Sequence, residues 1–276
     1  MLATSRRIAV VVAAVATLLL TLGAGPANAV IGGTDDTTNR YANVGALQLR
    51  SGQNWFTFCS GTLVAEDIVL TAAHCTDFFT AAVGAEGLGP DDLRVTFAVD
   101  SEASTTFYYV DHIVVNPDWL TAPPGVGNSK HRYLSSPHED IALIFLKTSV
   151  TGIEPAPIAD AGYLDTLDLT SETFTVVGYG TDAFITGSAG SPKAITVFDG
   201  IRSYRDVTVI TTHDAFPDRF LKITAGVCFG DSGGPLFHGD TIVALNTWTF
   251  SYRCSGPNLE YRVDSTVAQT FLDTYL

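Results

Sequence analysis

Apolar residues occur along this chain in short runs, which are separated by turns rich in Gly, Pro, Asn and Asp. Such runs are typical of the strands of β-sandwiches and β-barrels, whereas amphipathic helices give longer patterns with a period near 3.6. The runs predict strands at residues 45–49, 61–64, 68–71, 93–97, 107–115, 141–145, 174–178, 241–246 and 259–263. The pattern therefore predicts an all-β protein.

Three further segments break this pattern. Residues 264–276 predict a C-terminal α-helix, because apolar residues recur there at nearly helical spacing behind Asp264 and Ser265, which are candidate caps. The proline-rich residues 153–160 are the best candidate for a linker between two halves of similar length. Residues 121–129, rich in Pro and Gly, predict a long surface loop.

The first 29 residues have the three parts of a secretory signal peptide. Arg6 and Arg7 precede an apolar run that ends near residue 22, and Ala27-Asn28-Ala29 follows as a cleavage motif. The run is shorter than the roughly 20 residues that span a bilayer, which argues against a membrane anchor. We therefore expect cleavage after Ala29 and a secreted, extracellular product.

Net charge excludes two classes of partner. The chain has 29 acidic and 15 basic residues, a formal net charge of −14, and the loss of residues 1–29 would remove two arginines and no acid. An acidic surface is repelled by nucleic acids and by anionic membranes. We expect neither as a partner. Because 46% of the 276 residues are apolar, a well-buried core is feasible.

Four cysteines remain in the exported chain: Cys59, Cys75, Cys228 and Cys254. Export favours disulfides, and four cysteines allow three pairings. Pairing of nearest neighbours would place one bridge in each half of the chain. The sequence contains no Cys-x-x-Cys motif and no histidine pair at metal-ligand spacing, so we expect no metal site and no cofactor.

The most informative segment is Gly-Asp-Ser-Gly-Gly-Pro at residues 230–235. Glycines on both sides of Ser232 expose its hydroxyl, and they let the backbone turn so that amide hydrogens point at one spot where an oxyanion could form. A serine hydroxyl is unreactive at neutral pH unless a base lies within hydrogen-bond reach and a third group orients that base. The partners of Ser232 must come from elsewhere in the chain.

His74 and Asp140 are the candidate partners. His74 follows the strand at 68–71 within Thr-Ala-Ala-His-Cys, where a neighbouring disulfide would fix the direction of its ring; a satisfied core histidine is the alternative. Asp140 opens the apolar run 140–146. A carboxylate is costly to bury there unless it accepts strong hydrogen bonds, which an imidazole N–H would supply. A turn or capping residue is the alternative for Asp140.

Three motifs, at residues 71–75, 140–143 and 230–235, together resemble the signatures of the chymotrypsin-like (trypsin-like) serine endopeptidases, in that family's order of His, Asp and Ser. Further similar stretches at 58–63, 115–117, 247–248 and 262–263 extend the resemblance over nearly all of residues 30–276. The resemblance implies two six-stranded antiparallel β-barrels, at about 45–150 and about 155–263, followed by the C-terminal helix, with the site in the cleft between the barrels. It implies a monomer that acts on protein or peptide substrates, with protein inhibitors as further candidate partners.

The family's catalytic roles transfer to individual residues of this chain. By the resemblance, Ser232 attacks the scissile carbonyl, His74 accepts and later returns a proton, and Asp140 orients His74. The backbone N–H groups of Gly230 and Ser232 would form the oxyanion hole. The family's disulfides correspond here to Cys59–Cys75 and Cys228–Cys254.

The start of the exported chain also resembles this family. Residues 30–33, Val-Ile-Gly-Gly, are similar to the activated N-terminus, whose free α-ammonium pairs with the aspartate just before the nucleophile, here Asp231. Because the expected signal cleavage falls directly before Val30, we hypothesise that export itself activates the enzyme. The alternative is that Val30 begins an ordinary strand and that Asp231 is a buried turn residue.

The residues expected around the specificity pocket depart from trypsin. Trypsin-like relatives that cut after Lys or Arg carry an aspartate where this chain has Gly226, so strict trypsin specificity is not expected. Thr249 and Asn258 stand at wall positions that are often glycine, and bulkier walls favour small or medium apolar P1 side chains. Glu260 either approaches the pocket floor or, more simply, is a solvated carboxylate at a strand end. The hydroxyl of Thr247 is expected at the triad carboxylate.

Two other functions fit part of the pattern. The G-x-S-x-G spacing around Ser232 also matches the nucleophile elbow of a secreted esterase or lipase, but only 44 residues with one histidine follow it. A catalytically weak, protease-like binding module is the other alternative, and the presence of all three triad residue types argues for an enzyme instead. The acids Glu86, Asp91 and Asp92 show no convincing calcium-ligand pattern.

Overall fold

The computed structural model describes residues 30–77, 89–120, 139–181, 183–186, 194–212, 216–251 and 253–276. For residues 183–186 and 194–197 only the backbone is described. The expected signal peptide, the loop predicted at 121–129 and Glu86 lie outside the described residues. Strands are numbered β1 to β16 in chain order below.

Six antiparallel strands of the first half close into a barrel in the order β2-β3-β4-β7-β6-β5. Their bounds are β2 Val44–Ser51, β3 Asn54–Ala65, β4 Ile68–Thr71, β5 Leu93–Thr96, β6 Tyr108–Val115 and β7 Ala142–Leu146. Closure pairs every strand on both sides, and the inward-facing side chains fill the interior. Each strand predicted in this half lies within an observed strand or extends one residue beyond it.

The second half forms an eight-stranded antiparallel sheet in the order β1-β11-β8-β14-β15-β16-β13-β12. Its strands are β1 Thr34–Asp35, β8 Phe174–Gly178, β11 Ser203–Val207, β12 Val209–Thr212, β13 Phe220–Ile223, β14 Pro235–His238, β15 Thr241–Thr249 and β16 Asn258–Arg262. A separate hairpin contains β9 Ala183–Thr186 and β10 Ala194–Val197. The predicted all-β fold is confirmed, with a closed six-stranded barrel in the first half. Where a second six-stranded barrel was expected, the described residues form an eight-stranded half-barrel sheet, to which β1 of the N-terminal segment adds one edge strand.

Helical structure is sparse in the described residues. Residues 73–77 are helical, Pro117–Leu120 form one helical turn, and 3₁₀ turns span Pro90–Asp92 and Tyr163–Thr166. None of the described helices is long and apolar enough to cross a bilayer.

The predicted C-terminal helix is present but shorter, spanning Thr266–Leu272. Ser265 is its N-cap, because the Ser265 hydroxyl accepts a hydrogen bond from the Ala268 N–H at 3.2 Å. Asp264 is not a cap. Its carboxylate instead accepts the N–H of Leu164 at 2.8 Å and pairs with the guanidinium of Arg262.

Buried apolar side chains form three clusters, one within the first barrel, one within the second sheet and one between the two halves. The third cluster includes Leu70 and Leu143 from the first barrel, Val177 and Leu245 from the second sheet, and Phe271 from the C-terminal helix. Apolar burial stabilises a fold by about 25 cal/mol per Å². The shared cluster therefore fixes how the two halves meet.

A fully buried ion pair also joins the halves. Arg202, at the start of the segment that leads into β11, donates from Nε to Asp36 at 2.9 Å, and neither side chain is exposed. Its Nη1 donates to the carbonyl of Val44 at 3.0 Å and to the hydroxyl of Tyr179 at 3.1 Å. These bonds tie the N-terminal segment to both the barrel and the sheet.

Residues 153–160, predicted as a linker, are docked on both halves. The Ala156 N–H donates to the carbonyl of Leu63 in β3 at 2.8 Å, and Ile158 forms a parallel bridge with Ile242 in β15. The prolines fix an extended backbone here, but the segment is packed structure and not a free tether.

Candidate functional site

One pair of neighbouring strands positions His74 and Asp140. Strands β4 and β7 are antiparallel, and Thr71 at the end of β4 lies opposite Ala142 at the start of β7. His74 follows Thr71 by three residues and Asp140 precedes Ala142 by two. Both residues therefore leave the barrel at the same edge, although 66 positions separate them along the chain.

Asp140 binds both the backbone and the ring of His74. One carboxylate oxygen accepts the His74 N–H at 2.8 Å, and the other lies 2.8 Å from the ring atom Nδ1. The Asp140 side chain is fully buried, whereas the His74 side chain is 27% exposed. Because an ionised carboxylate only accepts hydrogen bonds, Nδ1 carries the proton and Nε2 of the neutral ring keeps its lone pair. The ring is thus held in the form that accepts a proton at Nε2.

Ser60, in β3 of the barrel, holds the loop that contains Ser232. The Ser60 N–H donates to the Ser232 carbonyl at 2.8 Å, and the Ser60 hydroxyl donates to the Gly230 carbonyl at 2.9 Å. The same hydroxyl accepts the Tyr179 N–H at 3.0 Å. All three bonds cross from the first half to the second, so the serine loop is anchored against the barrel that carries His74.

The glycine after the serine makes this close approach possible. A Cβ added to Gly233 would lie 2.1 Å from Oγ1 of Thr71 and 2.6 Å from the Ser60 carbonyl, and the residue has a φ of +79°. Both the space and the backbone angle exclude other residue types. Gly233 therefore serves the contact between the halves as well as the turn around Ser232.

The two disulfides are Cys59–Cys75 and Cys228–Cys254, with Cα–Cα distances of 6.2 and 5.3 Å. Sγ of Cys75 lies 3.9 Å from Nε2 of His74 and 3.5 Å from the carbonyl oxygen of Ser232. One sulfur atom thus contacts both the ring and the serine loop. Because the sulfur atoms of Cys59 and Cys75 are bonded to each other, they cannot act as thiolate metal ligands beside His74.

Two backbone amides beside the serine are free to bind a ligand. Within the part of the chain that the structure describes, the N–H groups of Gly230 and Ser232 donate no hydrogen bond. Gly230 has a φ of +96°, which turns the peptide groups of this loop, and Ser232 is half-buried. Two such amides can stabilise an oxyanion beside the serine hydroxyl.

The side chain of Asp231, which belongs to the same loop, is buried beneath it. Its carboxylate accepts the N–H of Gly180 at 2.9 Å and the N–H of Cys228 at 2.8 Å. Val30 is also fully buried, and the N–H of Ile31 donates to the Gly226 carbonyl at 3.1 Å. The N-terminal segment therefore docks directly on the chain that leads into the serine loop.

The three residues expected at the specificity pocket lie together. Thr249 and Asn258 are directly opposite each other in β15 and β16. The fully buried Asn258 amide accepts the N–H groups of Gly226 and Val227 at 3.2 and 3.3 Å, and donates to the Val227 carbonyl at 3.1 Å. The Asn258 side chain thus spans the gap between β16 and the segment before the serine.

Two expectations from the sequence are wrong. The Thr247 hydroxyl donates to the Leu259 carbonyl at 2.8 Å instead of to Asp140, because a register shift between β15 and β16 turns it toward β16. Glu260 is not a solvated carboxylate but is fully buried in the middle of the sheet. No pattern in the surrounding residues Asn-Leu-Glu-Tyr-Arg predicts that this acid is buried, because the residues that enclose it belong to neighbouring strands of the sheet.

Burial raises the pKa of Glu260 well above its usual value of 4.5, and the charge of Asp231 raises it further, although the backbone amide of Thr247 opposes these effects. Neither carboxylate oxygen accepts a hydrogen bond of normal geometry within the described residues. Its surroundings therefore favour the neutral carboxylic acid over the carboxylate.

Asp91 and Asp92, two of the three acids considered for calcium, have cationic partners. Asp91 pairs with Lys147, which lowers the pKa of Asp91, and Asp92 pairs with Arg50. The Gly89 N–H also donates to Asp92 at 2.7 Å.

Comparison with known proteins gives a consistent family. Residues 30–273 match the family model described as Trypsin. The chain is 28% identical over 225 residues to a protein named chymotrypsin-like elastase family member 1 from Bos taurus, an alignment that covers 75% of this chain and 72% of that protein. It is also 28% identical over 230 residues to a protein named trypsin from Saccharopolyspora erythraea, with 79% and 86% coverage. A shorter match to the elastase family member from Macaca fascicularis is 33% identical and covers 44% of this chain and 39% of that protein.

We predict that the substitution Glu260→Gln changes stability in a pH-dependent way. Because the pKa of Glu260 is higher in the folded chain than its ordinary value of 4.5, the folded state binds more protons than the unfolded state above about pH 4.5, and stability falls as the pH rises. E260Q removes this loss. The thermal midpoint of E260Q relative to wild type should therefore increase from pH 4 to pH 7.

Calorimetry at several pH values measures this difference. E154Q, which alters an exposed glutamate, is the matched control and should show no such trend. A difference between E260Q and wild type that is constant over this range would contradict the prediction.

Proposed function

Because the chain belongs to the trypsin family of serine endopeptidases, we propose that it hydrolyses peptide bonds with Ser232, His74 and Asp140 as a catalytic triad. The observation that carries this proposal is the His74 ring, oriented by Asp140 at 2.8 Å on the edge of the barrel where Ser60 anchors the serine loop. The free amides of Gly230 and Ser232 support it, since they supply the oxyanion donors that the reaction needs.

The reaction follows from this arrangement. Oγ of Ser232 attacks the carbonyl carbon of the scissile bond while Nε2 of His74 accepts the hydroxyl proton. The carbonyl oxygen becomes an oxyanion that the Gly230 and Ser232 amides bind. His74 then gives its proton to the leaving amine as the C–N bond breaks, which leaves an acyl-enzyme. A water molecule repeats the sequence, with His74 as base, and releases the acid and the free serine.

Asp140 stabilises the charged states of this cycle. When His74 holds two protons, the buried carboxylate lies beside the imidazolium and offsets its charge. Its second bond, to the His74 backbone, fixes the carboxylate so that the ring stays in one orientation. Activity should therefore rise with pH as the imidazole loses its proton.

We also propose that the protein is secreted and that its mature form, residues 30–276, works as a monomer. The two disulfides support an oxidising compartment. The acidic charge of the chain supports protein or peptide partners, including protein inhibitors, over nucleic acids or anionic membranes.

Cleavage before Val30 would activate the enzyme in this proposal. The free α-ammonium of Val30 would pair with Asp231, whose carboxylate lies beneath the loop that supplies the oxyanion donors. Burial of Val30 and the bond from Ile31 to Gly226 support a docked N-terminus. No separate propeptide would then be needed.

The proposed pocket favours substrates with small or medium apolar side chains at P1. Gly226 has no charged side chain that could bind a basic residue, and the Asn258 amide fills the space between β16 and residues 226–227. A shallow pocket rejects long side chains, which cannot be accommodated without breaking the bonds of Asn258.

We predict that S232A and H74A lower kcat for a peptide amide by at least about 10⁴-fold, and that D140N lowers it by about 10³- to 10⁴-fold. The loss arises because the nucleophile, the base or the orientation of the base is removed. H112A alters an exposed histidine on β6 and is the matched control. Peptidase activity that survives in S232A or H74A at the wild-type level, in folded protein, would reject the triad.

A chain with extra residues before Val30 should be at least about 100-fold less active than the chain that begins at Val30. Breaking a buried ion pair costs roughly 3–5 kcal/mol, which would disorder the oxyanion loop. Activity is compared before and after removal of the extension by an added protease. Full activity in the extended chain would refute activation by export.

For P1 preference, we expect kcat/KM in a constant peptide amide to be at least about tenfold higher with Ala or Val at P1 than with Lys or Arg. Hydrolysis of a peptide library measures this ratio. Equal or faster cleavage after Lys or Arg would overturn the proposed preference.

A further inference from the structure

Glu139, the residue before Asp140, is a buried acid that has no part in the proposed reaction. Its side chain is only 5% exposed. A carboxylate is costly to bury unless cationic and hydrogen-bonding partners surround it. The structure gives this carboxylate two partners from the second half of the chain, whereas Glu139 itself stands three residues before β7 of the barrel. It therefore links the two halves immediately beside Asp140.

The two partners of Glu139 are Arg219 and Tyr261. Arg219, just before β13, donates from Nε to one carboxylate oxygen at 2.7 Å, and the hydroxyl of Tyr261 in β16 donates to the other. Burial raises the pKa of Tyr261 well above its usual value, and the charge of Glu139 raises it further. Burial lowers the pKa of Arg219, but its hydrogen bond to Glu139 and the charge of Glu139 outweigh this effect and raise that pKa. Both donors therefore keep their protons at neutral pH.

The backbone turns sharply at Asp140. The Ile141 N–H donates to the Glu139 carbonyl at 2.9 Å, so Asp140 is the central residue of a three-residue turn. On the barrel side, the Ile141 carbonyl accepts the Asn116 N–H at 3.1 Å. On the other side, the Glu139 carboxylate is bound to the second half. The turn is thus fixed at both of its ends.

We propose that Glu139 is a positioning residue for the triad: it holds the turn that contains Asp140 against the second half and so keeps the His74 ring in place. This inference rests on the proposed peptidase function. Because Asp140 binds both the backbone N–H and Nδ1 of His74, a displacement of the turn moves the ring. A displacement of about 1 Å in a catalytic group costs about 100-fold in rate.

The test compares wild type, E139A and E139Q on one peptide amide. E139A loses both bonds of the carboxylate, so kcat should fall about 10- to 100-fold, while KM stays within about threefold of wild type. E139Q is the conservative variant, because its amide oxygen can accept from Arg219 and its amide nitrogen can donate to the hydroxyl oxygen of Tyr261. It should retain at least about a third of the wild-type kcat although it lacks the charge.

Two controls separate positioning from a loss of stability. D92A truncates another buried acid, which pairs with Arg50 in the first barrel. This variant should have a lower thermal midpoint but a kcat near that of wild type. D218N removes the exposed partner of Arg219 and should change neither quantity.

Proton NMR gives a second readout that does not need turnover. The Nδ1 proton of His74 lies in a hydrogen bond of 2.8 Å to Asp140, so it should give a signal far downfield of the amide protons in wild type and in E139Q. In E139A this signal should weaken or shift upfield, whereas D92A should retain it. If E139A does not fold, as judged by its thermal midpoint, Y261F replaces it. Y261F removes one of the two bonds without a change in charge and should lower kcat about 3- to 10-fold.

Three results would overturn the inference: wild-type kcat in folded E139A, or in Y261F where that variant replaces it; a loss of kcat in E139Q as large as that in E139A; or an equally large loss in D92A. Failure of the peptidase proposal looks different. In that case no variant, wild type included, cleaves the peptide, while the downfield signal still distinguishes E139A from E139Q.

Discussion

The arrangement of this molecule depends on how Ser60 holds the serine loop. Its two donated hydrogen bonds, at 2.8 and 2.9 Å, bind the carbonyls of Ser232 and Gly230 from the other half of the chain. The ring of His74 belongs to the barrel and the hydroxyl of Ser232 to the sheet. Neither half contains all three residues of the proposed triad, so the proposed site depends on the contact between the halves.

Several properties follow from the loop that Ser60 holds. Residues 226–234 contain the proposed pocket residue Gly226, the disulfide cysteine Cys228 and the buried Asp231, which lies between the two proposed oxyanion donors. The N–H of Ile31 binds at the start of this segment and Ser60 binds at its end. A change at the N-terminus can therefore reach the proposed oxyanion donors through a few bonded residues. This short path explains how the proposed free N-terminus, pocket and nucleophile would be coupled through one segment of the chain.

Sequence patterns predicted the parts of this structure that local chemistry determines. The Gly-rich motif, the His74 motif and Asp140 stood out because glycines, small residues and an acid before an apolar strand are unusual in their settings. Each strand predicted for the first barrel lies within an observed strand or extends one residue beyond it, since alternating apolar side chains fill a closed interior. The short strands β9 to β14 escaped prediction because they are polar at one face or only four or five residues long.

Tertiary contacts decide the rest, and these leave little trace in a single sequence. Glu260 is buried by strands that lie far from it in the chain, so nothing near it distinguished a buried acid from an exposed one. Thr247 turned away from Asp140 because of a register shift that no local pattern encodes. The bonds of Asn258 depend on the path of residues 226–227, which the sequence does not reveal.

Covalent labelling by a fluorophosphonate tests most directly whether the two halves assemble a reactive serine. Oγ of Ser232 would form a bond to phosphorus and release fluoride, with His74 accepting the hydroxyl proton. We predict one adduct per folded chain, located on Ser232 by mass spectrometry, and a greatly reduced labelling rate in H74A. A folded wild-type chain that acquires no adduct, or that is labelled at the same rate without His74, would contradict it.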